Sequence, residues 1–254
     1  VRISANLGLL WTHLDLPDAI AAAAAAGFDA VECHWPYAIP AADLRAVLDR
    51  AGMELLSLNT APGGAGEFGL TALPGREHEA RAAFDTALAY AVQARVPMIH
   101  VMAGISTAPE ALDVFANTLE CCCRAAAAHG VTLLIEPINR HDVPGYALSD
   151  PDVAVRLITG LGAPNLRIMA DCYHLARMGH DVPAMLARLG KLIGHVQIAG
   201  VPARNEPDRG TLDPAAVLAA LARVGYRGAI GAEYRPSDPQ EPDLRWLGAL
   251  RRAD

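Results

Sequence analysis

Four side chains stand where they could do chemistry together. Glu136 ends the apolar run Leu133-Leu134-Ile135, Asp171 ends Ile168-Met169-Ala170, Gln197 follows His195-Val196, and Glu233 follows Ile230-Gly231-Ala232. They are 35, 26 and 36 residues apart, each gap about the length of one strand-crossover unit. Three carboxylates brought to one place repel one another and resist ionisation unless a cation neutralises them. Carboxylate and amide oxygens suit a hard divalent ion, Mg²⁺ or Mn²⁺, better than the thiolate and imidazole sets that favour zinc. Further polar residues close other apolar runs: Asn6, Glu32, Asn59 and His100. Taken singly, each is what any sheet tolerates where a strand leaves the core; taken together, they mark one end of a set of strands.

The elements that must position them alternate strictly. Strands are predicted at Ile3–Leu7, Ala30–Cys33, Glu54–Asn59, Met98–Met102, Thr132–Glu136, Leu166–Asp171, Gly194–Ile198 and Ala229–Glu233. Helices are predicted at Pro17–Ala26, Ala41–Ala51, Gly75–Ala94, Ala108–His129, Pro151–Leu161, Val182–Leu189, Pro214–Val224 and Pro239–Leu250. The strands are mostly continuous apolar runs, as in parallel sheets covered on both faces. Asp150-Pro151 and Asp213-Pro214 read as helix starts, and Gly27, Gly52, Gly130 and Gly225 as helix ends. Eight such pairs in 254 residues point to a single-domain α/β chain over residues 1–254, a (β/α)8 barrel whose strand ends converge on one catalytic rim. An open doubly wound sheet would also alternate, but Asn6-Leu7-Gly8-Leu9-Leu10 stands where its glycine-rich fingerprint belongs.

Composition narrows the partners. With 28 acidic residues against 21 Lys and Arg, the net charge is −7, and no basic stripe is available for nucleic acid or an anionic membrane. The longest apolar run, Ala19–Phe28, is too short to span a bilayer. Asp15, Pro17 and Asp18 make the N-terminal region read as a helix start rather than a signal peptide, so a cytoplasmic location is expected. Cys121, Cys122 and Cys123 diverge around a helix and read as small apolar fillers. No Ser or Cys sits in a nucleophile elbow. The loop Pro62-Gly63-Gly64-Ala65-Gly66 reads as flexible, with closure over a ligand as its functional alternative.

The sequence resembles the hydroxypyruvate isomerase family within the xylose isomerase-like TIM barrels. The likeness runs through Ala5-Asn6-Leu7, the segment from Ala24 to Glu32, Pro74-Gly75-Arg76-Glu77, and Glu136-Pro137-Ile138-Asn139-Arg140-His141-Asp142-Val143-Pro144-Gly145-Tyr146. It continues through Asp171-Cys172-Tyr173-His174, His195-Val196-Gln197-Ile198-Ala199, Gly225-Tyr226 and Glu233-Tyr234-Arg235-Pro236. The resemblance implies Glu136, Asp171, Gln197 and Glu233 as ligands of one Mg²⁺ or Mn²⁺, Glu136 and Glu233 as the proton-moving pair, and His174 and Arg204 as holders of substrate oxygens. His100 and Glu206 are weaker candidates for substrate binding. The implied reaction is an aldose–ketose type isomerisation of a small hydroxy-carbonyl acid or sugar, such as hydroxypyruvate to tartronate semialdehyde, or of a 2-oxo-tetronate. A substrate carboxylate would need a cation, for which Arg204 is the candidate.

The sequence departs from the family pattern at Gly200, Ala203, Asn205 and Asp208-Arg209-Gly210-Thr211, where relatives usually carry an acidic residue, Gly, His and Gly-Thr-Gly-Glu. His34-Trp35-Pro36-Tyr37 also differs. A ketose 3-epimerase on a related barrel is the nearest alternative, and a non-catalytic carbohydrate-binding barrel an alternative of another class. A phosphodiester-cleaving barrel would require a histidine-rich zinc rim and a basic groove. The oligomeric state is left open, with a homo-oligomer admissible.

Overall fold

Each short apolar run finds a parallel neighbour on either side and a helix outside it, and so becomes a barrel stave. The strands of the computed structural model, which describes residues 1–252, are β1 (Ile3–Asn6), β2 (Ala30–Glu32), β3 (Ser57–Asn59), β4 (Met98–His100), β5 (Thr132–Ile135), β6 (Leu166–Asp171), β7 (Ile193–Ile198) and β8 (Ile230–Ala232). They pair in the order β2-β1-β8-β7-β6-β5-β4-β3, all parallel. Main-chain bonds join the two ends of that order: Val31 N–H donates to the Glu54 carbonyl at 2.9 Å, Leu56 N–H to Val31 at 2.8 Å, and Cys33 N–H to Ser57 at 3.2 Å. The expected (β/α)8 barrel is thus the observed architecture.

The helices are α1 (Leu16–Ala25), α2 (Ala41–Ala51), α3 (Glu77–Ala94), α4 (Ala111–Ala127), α5 (Pro151–Leu161), α6 (Cys172–Arg177), α7 (Val182–Leu189), α8 (Pro214–Arg223) and α9 (Arg245–Arg252). Asp15, Asp150, Asp181 and Asp213 each accept a main-chain N–H in the first turn, followed by a proline at the start of the helix. No described helix is long and apolar enough to cross a membrane.

Helices α3 and α9 begin later than expected for local reasons. Helix α3 begins at Glu77 because Gly75 takes a left-handed φ of 79°. Helix α9 begins at Arg245, not Pro239, because Asp238 and Asp243 bind nearby N–H groups and hold the preceding chain in turns. The short α6 was not anticipated. Asp171, the last residue of β6, caps it by accepting the Tyr173 N–H at 2.7 Å.

Inside the barrel, polar groups form a layer beneath the strand ends. Glu32 accepts the Ser4 hydroxyl at 2.5 Å and the Gln197 amide at 2.7 Å, with His195 Nε2 3.0 Å away; all four residues are buried. A Cβ on Gly231 would lie 2.2 Å from a Glu32 carboxylate oxygen, so this stave must be bare where the carboxylate passes. Gly231→Ala is therefore expected to destabilise the fold by about 1–3 kcal/mol. Urea unfolding measures it, and an unchanged midpoint would contradict the packing.

Candidate active site

The polar strand ends meet in a cavity of about 130 Å³. Its walls include Asn6 from β1, Asn59 from β3, His100 from β4, Gln197 from β7, Glu136 and Glu233 immediately beyond β5 and β8, and His174 from α6. Trp35 and Phe68 add aromatic surface, and Arg204 and Arg235 reach it from the loops after β7 and β8. Phe68 follows the glycine-rich Pro62–Gly66 segment, which Glu67 braces by pairing with Arg76 at 2.6 Å.

Three carboxylates crowd this space. Glu136, Asp171 and His174 each offer a ligand atom within 4.8 Å of the others, and one arginine reaches the rest: Arg204 lies 3.4 Å from Asp171 Oδ2 and 3.3 Å from Glu233 Oε1. The guanidinium sits over the Tyr173 ring, 5.0 Å from its centroid. Burial, then the charges of Glu233 and Asp171, raise the Glu136 pKa well above the usual carboxylate range. Burial pushes Asp171 up to about 7, with Arg204 opposing and Glu233 adding to the shift. Burial acts on Glu233 in the same sense, but Arg204 and a 3.0 Å contact from His34 Nε2 outweigh it and hold Glu233 at about 2. The two glutamates are therefore biased toward opposite protonation states.

Two of the lining histidines are neutral. Burial lowers His100 to about 4, and burial with the nearby Arg204 lowers His174 to about 3. The His174 tautomer follows from Asn139, whose Oδ1 accepts the His141 and Asp142 N–H groups and whose amide nitrogen faces His174 Nδ1 at 2.6 Å. Nδ1 must then accept, so the proton is on Nε2, which lies 3.6 Å from both Glu136 Oε1 and Asp171 Oδ2. His174 thus faces the carboxylates as a donor rather than as a free lone pair. Gln197 is fixed in the opposite sense: its amide nitrogen is committed to Glu32, and its Oε1, like Glu136 Oε1, is buried without a hydrogen-bond partner among the described residues. Buried oxygens of this kind, next to two further carboxylates, fit an oxygen-liganded cation.

A profile of the Xylose isomerase-like TIM barrel family matches residues 20–250. The chain belongs to that family. It is 44% identical over 252 residues to a 2-oxo-tetronate isomerase of Cupriavidus necator, covering 97% of both chains. It is 34% identical over 258 residues to the hydroxypyruvate isomerase of Escherichia coli, covering 99% of this chain and 100% of that one. Among solved structures, one titled AP endonuclease, family 2, from Brucella melitensis superposes with a TM-score of 0.94 at 34% identity over 98% of each chain. A D-psicose 3-epimerase from Clostridium cellulolyticum reaches a TM-score of 0.80 at 20% identity, covering 100% of this chain and 95% of that one, a likeness of fold alone.

Within this family barrel, most of the residues singled out from the sequence come together: Glu136, Asp171, Gln197, Glu233, His174, Arg204 and His100 all border or line the one cavity. Glu206 does not. It is fully buried with its carboxylate turned to the Ser237 N–H at 2.8 Å and hydroxyl at 2.7 Å, and it fastens the loop after β8. His34 and Arg235 were not singled out. His34 lies two residues beyond β2 and Arg235 three beyond β8, and only the course of the loops shows which way such residues turn.

Because Asp171 retains its proton below about pH 7, a divalent cation must displace it there. Glu136, also raised, holds a second proton, so apparent Mn²⁺ affinity is expected to rise by about tenfold per pH unit for each proton displaced and to level off once both carboxylates are ionised. Calorimetric titration in buffers of differing protonation enthalpy reads both the affinity and the released proton. An affinity independent of pH would contradict this site.

Proposed function

We propose that the chain catalyses the aldose–ketose type isomerisation of a small hydroxy-oxo acid, interconverting hydroxypyruvate and tartronate semialdehyde or acting equivalently on a 2-oxo-tetronate. The observation that carries the reading is geometric: Glu136 and Glu233 line one small cavity, Asp171 and His174 stand beside Glu136, and Arg204 bridges Asp171 and Glu233 at 3.4 and 3.3 Å. Full-length relatives named as isomerases support the class.

In this reading Glu233, its Oε1 fixed by His34 and Arg204, takes the proton from the hydroxyl-bearing carbon. Negative charge then develops on the two adjacent substrate oxygens, where the Arg204 guanidinium and the His174 Nε2–H stabilise it. Glu136 gives its proton to the former carbonyl carbon, the substrate's hydroxyl proton passes to the neighbouring oxygen, and Glu233 then loses the abstracted proton to solvent as Glu136 regains one; His100, 3.7 Å from Glu136 Oε2, borders the same position. Glu136, Asp171, Gln197 and Glu233 would hold Mg²⁺ or Mn²⁺, which supplies an electrophile that polarises the carbonyl. Five unpaired cysteines and the acidic balance support a cytoplasmic protein acting on a small molecule rather than on nucleic acid or a membrane.

Glu233→Gln and Glu136→Gln are each expected to lower kcat on hydroxypyruvate by about 10²–10⁴-fold with circular dichroism unchanged. Turnover near that of the unmodified protein would reject the assigned roles. Chelation should abolish activity and added Mg²⁺ or Mn²⁺ restore it; full activity of thoroughly metal-free protein would reject the cation.

A further inference from the structure

An acidic substrate brings a negative charge into a site whose positive charges are already matched. Arg204 is committed to Asp171 and Glu233 at 3.4 and 3.3 Å, and a divalent ion together with Arg204 would only balance the three carboxylates. The lining imidazoles are also taken up, His34 lying 3.0 Å from Glu233, His100 3.7 Å from Glu136 and His174 3.6 Å from both Glu136 and Asp171. Among the described residues lining the cavity, the other arginine is Arg235. It is exposed, and its guanidinium makes no ion pair or hydrogen bond with the described residues.

The fold holds this residue firmly by its backbone. The Arg235 N–H donates to the Arg204 carbonyl at 2.7 Å, so both arginines belong to one wall. Two residues later Ser237 is clamped by the buried Glu206 through its N–H and its hydroxyl. Arg204 itself sits in the left-handed region at φ 54°, held by its own N–H bond to the Gly200 carbonyl at 2.8 Å. The backbone of Arg235 is thus fixed at the cavity wall while its charged end stays free.

We propose that Arg235 is the specificity-determining residue that receives the substrate carboxylate and admits hydroxy-oxo acids in preference to neutral sugars of similar length. A guanidinium presents two parallel N–H donors to a carboxylate, a geometry Lys cannot reproduce. From its position in the wall, that pairing would orient the remaining carbons toward Glu136 and Glu233. This assignment rests on the isomerase reading and gives Arg204 the reacting oxygens rather than the carboxylate.

The test compares the unmodified protein with Arg235→Gln and Arg235→Lys. KM for hydroxypyruvate is measured alongside calorimetric binding of D-glycerate, an acid, and dihydroxyacetone, a neutral analogue. Arg235→Gln is expected to raise KM and weaken D-glycerate by about 10- to 100-fold, with a much smaller change in kcat and none in dihydroxyacetone binding. Arg235→Lys should recover part of the loss. An unmodified protein that turns over hydroxypyruvate while Arg235→Gln leaves KM and D-glycerate binding unchanged overturns this inference alone. Equal losses for the acid and the neutral analogue overturn it as well. An unmodified protein that neither turns over hydroxypyruvate nor a 2-oxo-tetronate overturns the isomerase reading, and the assignment falls with it.

Discussion

The repulsion among three buried carboxylates is the constraint to which the rest of the site answers. Glu136, Asp171 and Glu233 converge in a space where water cannot screen them, and each is restrained differently. Glu233 has Arg204 and His34 and stays ionised. Asp171 shares Arg204 and uses one oxygen to cap α6. Glu136 has neutral imidazoles as neighbours, at 3.6 and 3.7 Å, and bears the highest cost of ionisation. The three differ through unequal access to one guanidinium and one imidazole, Arg204 reaching Asp171 and Glu233 and His34 reaching Glu233.

A layer behind the cavity sets orientations that the lining residues cannot set for themselves. Asn139 is anchored by two main-chain N–H groups and thereby fixes which His174 nitrogen carries the proton. Glu32 takes the amide nitrogen of Gln197 and leaves the carbonyl oxygen turned away from it. Both are buried and polar, and each determines whether a neighbour donates or accepts. Glu32 in turn requires Ser4 as a donor and the absence of a side chain at Gly231. The chemistry of the rim therefore reaches down into the barrel interior, where a single methyl group would collide with it.

The sequence made the barrel legible because buried parallel strands must be short, continuous and apolar, and a polar residue ending such a run stands out. Asp171 and Glu233 were visible on that ground, and so were His100 and Gln197. Glu206 illustrates where this stops. A buried glutamate in a loop looks the same in sequence whether it faces a ligand or ties down the next loop, and here it binds Ser237. His34, named only in a departing segment, and Arg235, named only within the Glu233–Pro236 stretch, were not assigned to the site for the converse reason: nothing about a residue two or three positions past a strand tells which way its side chain turns. Helix α6 was hidden because its cap is a strand-end carboxylate, a residue whose type already had another explanation.

The loop after β7 shows why departures from the family pattern gather there without disturbing the reacting groups. A Cβ at Gly200 would lie 2.1 Å from the Arg209 carbonyl and 2.4 Å from Asn205 Oδ1, so an acidic residue could not occupy this position with the loop as it is. In its place the chain folds on itself, with the Gly200 N–H bonded to the Asn205 carbonyl and the Thr211 N–H to the Val201 carbonyl. Gly200, Asn205 and Arg209 thus belong to one packed unit in which a change at one position constrains the others. That unit delivers Arg204 to the carboxylates and joins the next loop through the Arg235 N–H. The carboxylates lie at or immediately beyond the strand ends and so are placed by the barrel, whereas the two arginines are placed by loops that pack on each other. Substitutions in those loops can therefore change which molecule is held while leaving the proton-moving pair where the strands put it.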